Sequence, residues 1–175
     1  MTRNRTLIAA LTLLALPAGL VAQRGPMGHP PVPDRGMAAP TPIYLMKAGA
    51  GDLFERQEGQ LMSSSRNPAV AHFARQMVRD HTSSTAMVKA AAMRARLHPR
   101  PPVLDGDLRR NLTALRAAHG RDRDRLYIMQ QKQAHQDALM LHRGYANGGD
   151  VPALREVAGK IVPVVQRHIA MLDRM

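Results

Sequence analysis

The sequence predicts an all-α fold in which four long amphipathic helices pack as an up-down bundle. Three observations support this prediction. Apolar residues recur at helical spacing over four long segments, and no run alternates apolar and polar residues as a strand would. Alanine, leucine and methionine dominate while aromatic residues make up only 3% of the chain, a composition that favours helix over sheet.

The N-terminal part of the chain is predicted to lie outside the bundle. Residues 1–22 combine two arginines, a short apolar run and a small final residue, a pattern typical of a cleavable secretory signal peptide and too short for a membrane span. Residues 23–40 are rich in proline and glycine and predict a flexible leader. No cysteine is present for a lipid anchor. We therefore expect a periplasmic or secreted domain over residues 41–175.

The first two long helices have matching start signals. Thr41-Pro42 and Asn67-Pro68 each place an N-cap residue before a proline, which is favourable at the first helical position. The first helix should extend to about Ser64 and the second to about Leu97, where the segment HPRPP stops it. Their predicted inward faces include Ile43, Phe54 and Leu61 in the first and Phe73, Met77 and Val88 in the second.

The second half of the chain predicts three further helices. A short helix over 107–118 should lie in the connection between the second and third long helices. The third long helix should cover 122–146 and end at the segment NGGD, where Asp150 is expected to cap the fourth. Pro163 lies inside the fourth helix and predicts a kink, because proline removes a backbone hydrogen bond.

The chain is strongly basic, with a formal net charge of +12. Such a balance can indicate nucleic-acid binding, but the arginines are scattered along the helices and the export signal argues against that partner. Anionic components of the cell envelope are the alternative partners. An arginine-rich solvated surface is the simpler interpretation of the pattern. No membrane-spanning helix is predicted in the mature chain.

Each long helix places one residue with metal-binding chemistry on its apolar face. These residues are Glu55, His81, His135 and His168. At ~1.5 Å per residue, their distances from the connecting turns differ by roughly one helical turn. All four are therefore expected near the middle of the bundle, in one layer or in two adjacent layers. Three imidazoles and a carboxylate would suit a single divalent ion of zinc, copper or iron.

Two other interpretations of the same residues remain open. Buried histidines and a glutamate can satisfy each other and form a polar layer that fixes helix register. They can also act as an acid–base site. The chain has no Glu-x-x-His motif for a di-iron centre, no Ser-His-Asp order and no phosphate loop. These motifs are typical of catalysis, so a non-enzymatic protein is the favoured expectation.

Four segments together resemble the bacterial family called domain of unknown function 4142. They are YLMKAGAGDLFERQEGQLM, NPAVAHFARQMVRDHTSS, DRLYIMQQKQAHQDAL and IVPVVQRHIAML. The resemblance covers about residues 42–174. It implies an exported protein with a ferritin-like bundle, and no established activity.

The resemblance also implies a set of site residues. The resemblance places the family's motif positions on Glu55, Asp80, His81, Asp124, Tyr127, His135, Pro163 and His168. Among them Asp80, Asp124 and Tyr127 are expected around the metal candidates rather than as ligands. Asp80 points roughly 100° away from His81 around the helix. Tyr127 lies two turns before His135, from where it can donate a hydrogen bond. The family's Glu-Val-x-Leu-Gly is here Glu-Arg-Gln-Glu-Gly, which is a departure.

Two hypotheses of function follow from the sequence. The first is an exported metal-binding envelope protein that uses Glu55, His81, His135 and His168. The alternative is a non-catalytic envelope stress or interaction protein, in which the polar layer is structural and the basic surface binds anionic partners.

Overall fold

The computed structural model describes residues 38–175, and in that range the chain forms five helices and no strand. The helices are α1 (Thr41–Met62), α2 (Pro68–Arg94), α3 (Gly106–Ala117), α4 (Gly120–Gly148) and α5 (Pro152–Leu172). The predicted all-α class is confirmed, with a short helix between the second and third long ones. The predicted signal peptide and most of the predicted leader lie outside the described residues. From residue 38 onward, no helix is long and apolar enough to cross a membrane.

The long helices pack as two hairpins. Helix α1 packs on α2 and α4 packs on α5, and the short connections make each pair antiparallel. The hairpins meet through α2 against α5 and through α1 against α4, while α3 lies against α1 and α4. Each long helix therefore has two long neighbours and one face directed to the centre.

Two apolar clusters lie on either side of a polar layer. One contains Tyr44, Val88, Tyr145 and Ile161, and the other contains Met62, Phe73, Met77, Tyr127 and Leu172. Along every long helix, the residue with metal-binding chemistry falls between its contributions to the two clusters. The polar layer is therefore enclosed above and below by packed apolar side chains, which hold its position.

The first hairpin is fixed by a close approach at Gly59. A Cβ atom at this position would lie 2.7 Å from the Ala74 carbonyl oxygen and 3.0 Å from Cγ2 of Val78. Only glycine allows the two backbones to come this close without a shift. The approach lies one turn from Glu55, so it also fixes how far the polar side chains of α1 extend into the centre of the bundle.

Two predicted helix caps are wrong. Pro40 rather than Thr41 precedes α1, and Val151 rather than Asp150 precedes α5, with no side-chain cap at either. The Thr41 hydroxyl instead donates to the Asp150 carboxylate, and Tyr145 also donates to it. These side chains tie the start of α1 to the turn between α4 and α5. Asn67 does cap α2, as predicted, by accepting hydrogen bonds from two backbone N–H groups.

One residue of the predicted inward face of α1 is exposed. Ile43 was expected to be inward but is 40% exposed, whereas its neighbour Tyr44 is buried. The reason is that α1 turns a stripe containing Asp52, Glu55 and Glu58 towards the centre. Phe54 and Glu55, both predicted inward, are buried, so the expected face holds along the rest of the helix.

Candidate metal centre

The four predicted ligand residues are all buried and form one cluster. Glu55, His81, His135 and His168 are each at most 5% exposed and come from α1, α2, α4 and α5. The three imidazole ring centroids lie between 5.2 and 5.7 Å apart. One nitrogen from each ring lies within 4.8 Å of the others. The structure therefore adopts the single-layer arrangement and not the two-layer alternative.

His81 is held on one side by two carboxylates. Its Nδ1 lies 2.8 Å from Oδ1 of Asp52 and 2.9 Å from Oε2 of Glu55. Both oxygens are acceptors, so this nitrogen carries the hydrogen. Asp52 is fixed in turn by the hydroxyl of Thr85, which donates to Oδ2 at 2.9 Å. Nε2 of His81 is buried and has no hydrogen-bond partner among the described residues.

His135 and His168 are also held by their outer nitrogens. Nδ1 of His135 donates to the carbonyl oxygen of Gln131 at 2.8 Å, and Oε1 of Glu55 lies 3.2 Å from the same nitrogen. Nε2 of His168 donates to Oδ2 of Asp80 at 2.9 Å. The remaining nitrogens, Nε2 of His135 and Nδ1 of His168, are 3.1 Å apart.

The charges of the cluster follow from burial and proximity. Burial would raise the pKa of Glu55, but the neighbouring His81 and His135 outweigh it and lower that pKa to about 2. Burial would lower the pKa of His81, but Glu55 and Asp52 outweigh it and raise that pKa to about 10. Burial lowers the pKa of His135, and it lowers the pKa of His168 to about 4. At neutral pH both of these rings are therefore neutral.

A neutral imidazole has a single N–H, and this assigns the tautomers of the two rings. His135 uses its hydrogen towards Gln131 and His168 uses its own towards Asp80. The two nitrogens that face each other are then both lone pairs, which cannot form a hydrogen bond. Two nitrogens bound to one tetrahedral ion at ~2.0–2.1 Å are about 3.3 Å apart, close to the observed separation. The separation of the two nitrogens is compatible with one cation bound by both.

The cluster thus has an inner and an outer set of atoms. The inner set is Nε2 of His135 and Nδ1 of His168, and we assign to it Nε2 of His81, the nitrogen of that ring without a partner among the described residues. The outer set is the oxygens that hold the opposite edges of the rings, the usual arrangement behind metal-binding histidines. Glu55 was predicted as a ligand; its Oε2 contacts Nδ1 of His81, while its Oε1 lies 3.2 Å from Nδ1 of His135 and has no hydrogen-bond partner among the described residues. A second grouping, Asp52, Glu55 and His81, also brings ligand-type atoms together.

Of the three residues predicted to surround the ligands, one contacts a histidine and two do not. Asp80 contacts His168, as expected for an outer partner. Asp124 accepts a hydrogen bond from Ser65 at 2.7 Å instead, near the turn between α1 and α2. Tyr127 is buried, but its hydroxyl forms no hydrogen bond within residues 38–175.

Asp52 and Gln131 were missed from the sequence. Asp52 lies one turn before Glu55, and this i, i+3 spacing was the signal that could have identified it. Gln131 contributes its backbone carbonyl to His135, a contact that side-chain type does not reveal. Its side-chain amide donates to Oε2 of Glu58 at 3.0 Å. Burial raises the pKa of Glu58 to about 8, so this carboxyl is protonated at neutral pH.

Comparison with known proteins identifies the family of this chain. The model of the family DUF4142, a domain of unknown function, matches residues 29–175. The chain belongs to the DUF4142 family. Among solved structures, this DUF4142 chain is similar to a DUF305 fragment from Deinococcus radiodurans, with a TM-score of 0.63 and 14% identity over 78% of this chain and 95% of that chain. At this identity the likeness supports the helical fold alone. No curated protein matches the chain.

Proposed function

We propose that this DUF4142 protein binds one divalent ion of zinc, copper or iron in the core of an exported, ferritin-like bundle. The proposed ligands are His81, His135 and His168, and Glu55 and Asp52 hold the rings from outside. The observation that carries the proposal is the 3.1 Å contact between Nε2 of His135 and Nδ1 of His168, in rings whose other nitrogens are already held by oxygen acceptors.

The buried charges also support a cation. Asp52 and Glu55 are both nearly fully buried. Protonated His81 offsets one of their negative charges, and its remaining N–H has no acceptor in the described part of the chain. A divalent ion in place of that proton would balance both carboxylates and use the unpartnered nitrogen. Buried charges that are balanced in this way cost much less than an uncompensated one.

The ligand set limits the chemistry that the ion would have. Three imidazoles suit zinc, copper and iron, and they leave a fourth position for water or another ligand. The proposed role is to hold the ion, in an envelope compartment, and to allow weak redox chemistry where the ion is copper or iron. The export of the protein stays part of this proposal, because it depends on the signal-peptide prediction.

The structural layer is the second candidate, and one observation favours it. His81 forms ion pairs with Asp52 and Glu55 at 2.8 and 2.9 Å, so part of the layer is satisfied without an ion. In this case the protein would be a non-catalytic envelope stress or interaction protein. The formal charge of +12 would then provide the surface for anionic partners.

A titration with Zn²⁺ separates the two candidates when two buried histidines are compared. His135→Ala removes a proposed ligand. His142→Ala removes an equally buried imidazole that bonds Tyr44 at 3.1 Å and takes no part in the cluster. We expect wild type and His142→Ala to bind about one equivalent and to melt at a higher temperature with Zn²⁺ than with chelator, because a ligand that binds only the folded state stabilises it.

His135→Ala should show no such rise. If the wild-type melting temperature is the same with Zn²⁺ and with chelator, and both variants lower it equally, the layer is structural and the metal proposal is wrong.

A further inference from the structure

We infer that the bound ion is exchangeable and reaches the histidines along a carboxylate-lined route on the side of the bundle formed by α1, α3 and α4. This inference rests on the proposed metal site and adds a path to it. The observations that carry it are a cavity, the charges of its walls and three unpartnered polar atoms of the wall residues.

The cavity joins the histidine layer to the surface under α3. Its volume is about 920 Å³, and its walls include Asp52, Glu55, His81 and His168. A water molecule in the liquid occupies about 30 Å³, so the space is much larger than one ion requires. The cavity also includes residues of α3 and the segment before it, namely Val103, Asp105, Asp107, Leu108 and Asn111.

The charge of the cavity is opposite to that of the chain. The described carboxylates in its walls are Asp52, Glu55, Asp80, Asp105, Asp107 and Asp137. The cationic side chains in the same walls are Lys47 and Arg167. The chain as a whole has 25 basic and 13 acidic residues, so its general surface repels cations. A cleft of one sign between walls of low dielectric constant focuses the field and concentrates ions of the opposite sign.

The outer carboxylates identify the side of entrance. Three of these carboxylates are exposed: Asp105 just before α3, Asp107 on α3 and Asp137 on α4. On the opposite side, between α2 and α5, Asp80 is already bonded to His168 and Arg167 lies in the wall. On the α3 side Asp107 pairs with Arg110 and Lys47 of α1 lies in the wall, so the three carboxylates there exceed these cationic side chains by one, whereas Asp80 and Arg167 balance on the other side.

The inner part of the cavity offers polar atoms that no protein group uses. Three buried atoms of cavity-wall residues have no hydrogen-bond partner in residues 38–175, namely Oε1 of Glu55, Nε2 of His81 and Oγ of Ser84. Buried polar groups are normally paired, because an unpaired one is costly. Water or a partly hydrated ion in the cavity would satisfy them, which fits a wet route that ends at the ligands.

The test compares two triple variants that change the net charge equally. One is Asp105→Asn, Asp107→Asn and Asp137→Asn, and Asn retains the N-cap of α3 at position 105. The control is Asp122→Asn, Glu156→Gln and Asp173→Asn, which are exposed acids outside the cavity. Binding of Co²⁺ is followed by stopped-flow absorbance at low ionic strength and at high ionic strength.

We expect the cavity triple to associate with Co²⁺ about tenfold more slowly than wild type at low salt, because steering raises association rates by 10-fold or more. The control triple should stay within about twofold of wild type, and the difference should shrink in ~1 M salt, where the screening length is ~3 Å. All three proteins should still bind one equivalent. Equal rates in the two triples would overturn the route, even though the metal site would stand.

A second variant tests the route without a change of charge. Asn111→Trp places a bulky side chain at an exposed position in the cavity wall. It should slow both Co²⁺ association and chelator-driven release, and leave the affinity unchanged. Wild-type rates in this variant would also overturn the route. Absence of Co²⁺ binding by wild type would instead overturn the metal site itself.

Discussion

Nε2 of His135 and Nδ1 of His168 face each other across 3.1 Å, and in neutral rings whose other nitrogens donate to oxygens both would be lone pairs. This relationship is the feature of the layer that a purely structural role explains least well, because two lone pairs repel at such a distance. Each ring is fixed by its other nitrogen, His135 by the Gln131 carbonyl and His168 by Asp80. The rings therefore present their lone pairs to a common point, where a cation would be attracted.

The outer carboxylates should adjust metal affinity without being required for it. Asp52→Asn and Asp80→Asn each weaken the acceptor behind a proposed ligand, and we expect a loss of about 10- to 100-fold in Zn²⁺ affinity. Asp124→Asn is the control, because Asp124 bonds Ser65 and not a histidine. Competition titration with a chromophoric chelator measures the three affinities. A loss in the control equal to that in Asp52→Asn would contradict the assignment of the outer residues.

Glu58 should give the stability of the apo protein a specific pH dependence. Burial raises the pKa of Glu58 from 4.5 to about 8, so between these values the folded state holds a proton that the unfolded chain has lost. Its contribution is complete below pH 4.5 and is lost as the pH rises through 8, by up to about 1.4 kcal/mol per pH unit.

Glu58→Gln cannot ionise, so its unfolding free energy should fall less than that of wild type between about pH 5 and about pH 8. Urea denaturation in the presence of chelator measures this difference. Glu156→Gln, at an exposed carboxylate, should keep the wild-type slope. Parallel slopes for wild type and Glu58→Gln would show that the Glu58 carboxyl is not held in its neutral form.

The close approach of α1 and α2 should make Gly59 intolerant of a side chain. Gly59→Ala brings a methyl group 2.7 Å from the Ala74 carbonyl oxygen, and we expect a destabilisation of about 1–3 kcal/mol. Gly159→Ala is the control, since a Cβ there meets nothing within 4 Å, and alanine in a helix interior is favoured by about 1 kcal/mol. Chemical denaturation should give opposite signs for the two. Two changes of the same sign would contradict the predicted clash.

The hydrogen bonds among Thr41, Tyr145 and Asp150 should make coupled contributions to the free energy of unfolding. Thr41→Val and Tyr145→Phe each remove a hydroxyl from it, at an expected cost of about 1 kcal/mol. The double variant should cost less than the sum, because residues in one network couple by about 0.5–3 kcal/mol. Thr113→Val, at an exposed threonine that bonds only its own helix, is the control. Additive effects in a double-mutant cycle would contradict a shared network.

Much of the fold could be predicted because the signals are local. The Asn67 cap, the proline-rich stop after α2 and the glycine-rich stop after α4 act within a few residues, and they place the helix ends well. The inward position of Asp52 beside Glu55 could not be obtained in this way. It depends on Asp52, Glu55 and Glu58 finding partners on α2 and α4, and only the packed bundle provides those partners.

The residues of the site could be predicted from the sequence better than their relative positions. One inward polar residue per helix identifies Glu55, His81, His135 and His168, but turn lengths leave their heights uncertain by about a helical turn. The approach at Gly59 and the two apolar clusters bring them to one level. Likewise, Thr41 and Asp150 have the residue types of caps. Their side chains bond each other instead, because the bundle brings the start of α1 next to the α4–α5 turn.

Elemental analysis of the untagged protein, purified without chelator, tests the central claim most directly. The account predicts about one equivalent of zinc, copper or iron in wild type, its loss in the double variant His81→Ala and His168→Ala, and its retention in His142→Ala. Protein that is purified without metal and does not take up Zn²⁺, Cu²⁺ or Fe²⁺ when these are added would contradict it, and would favour a structural layer and a role for the basic surface.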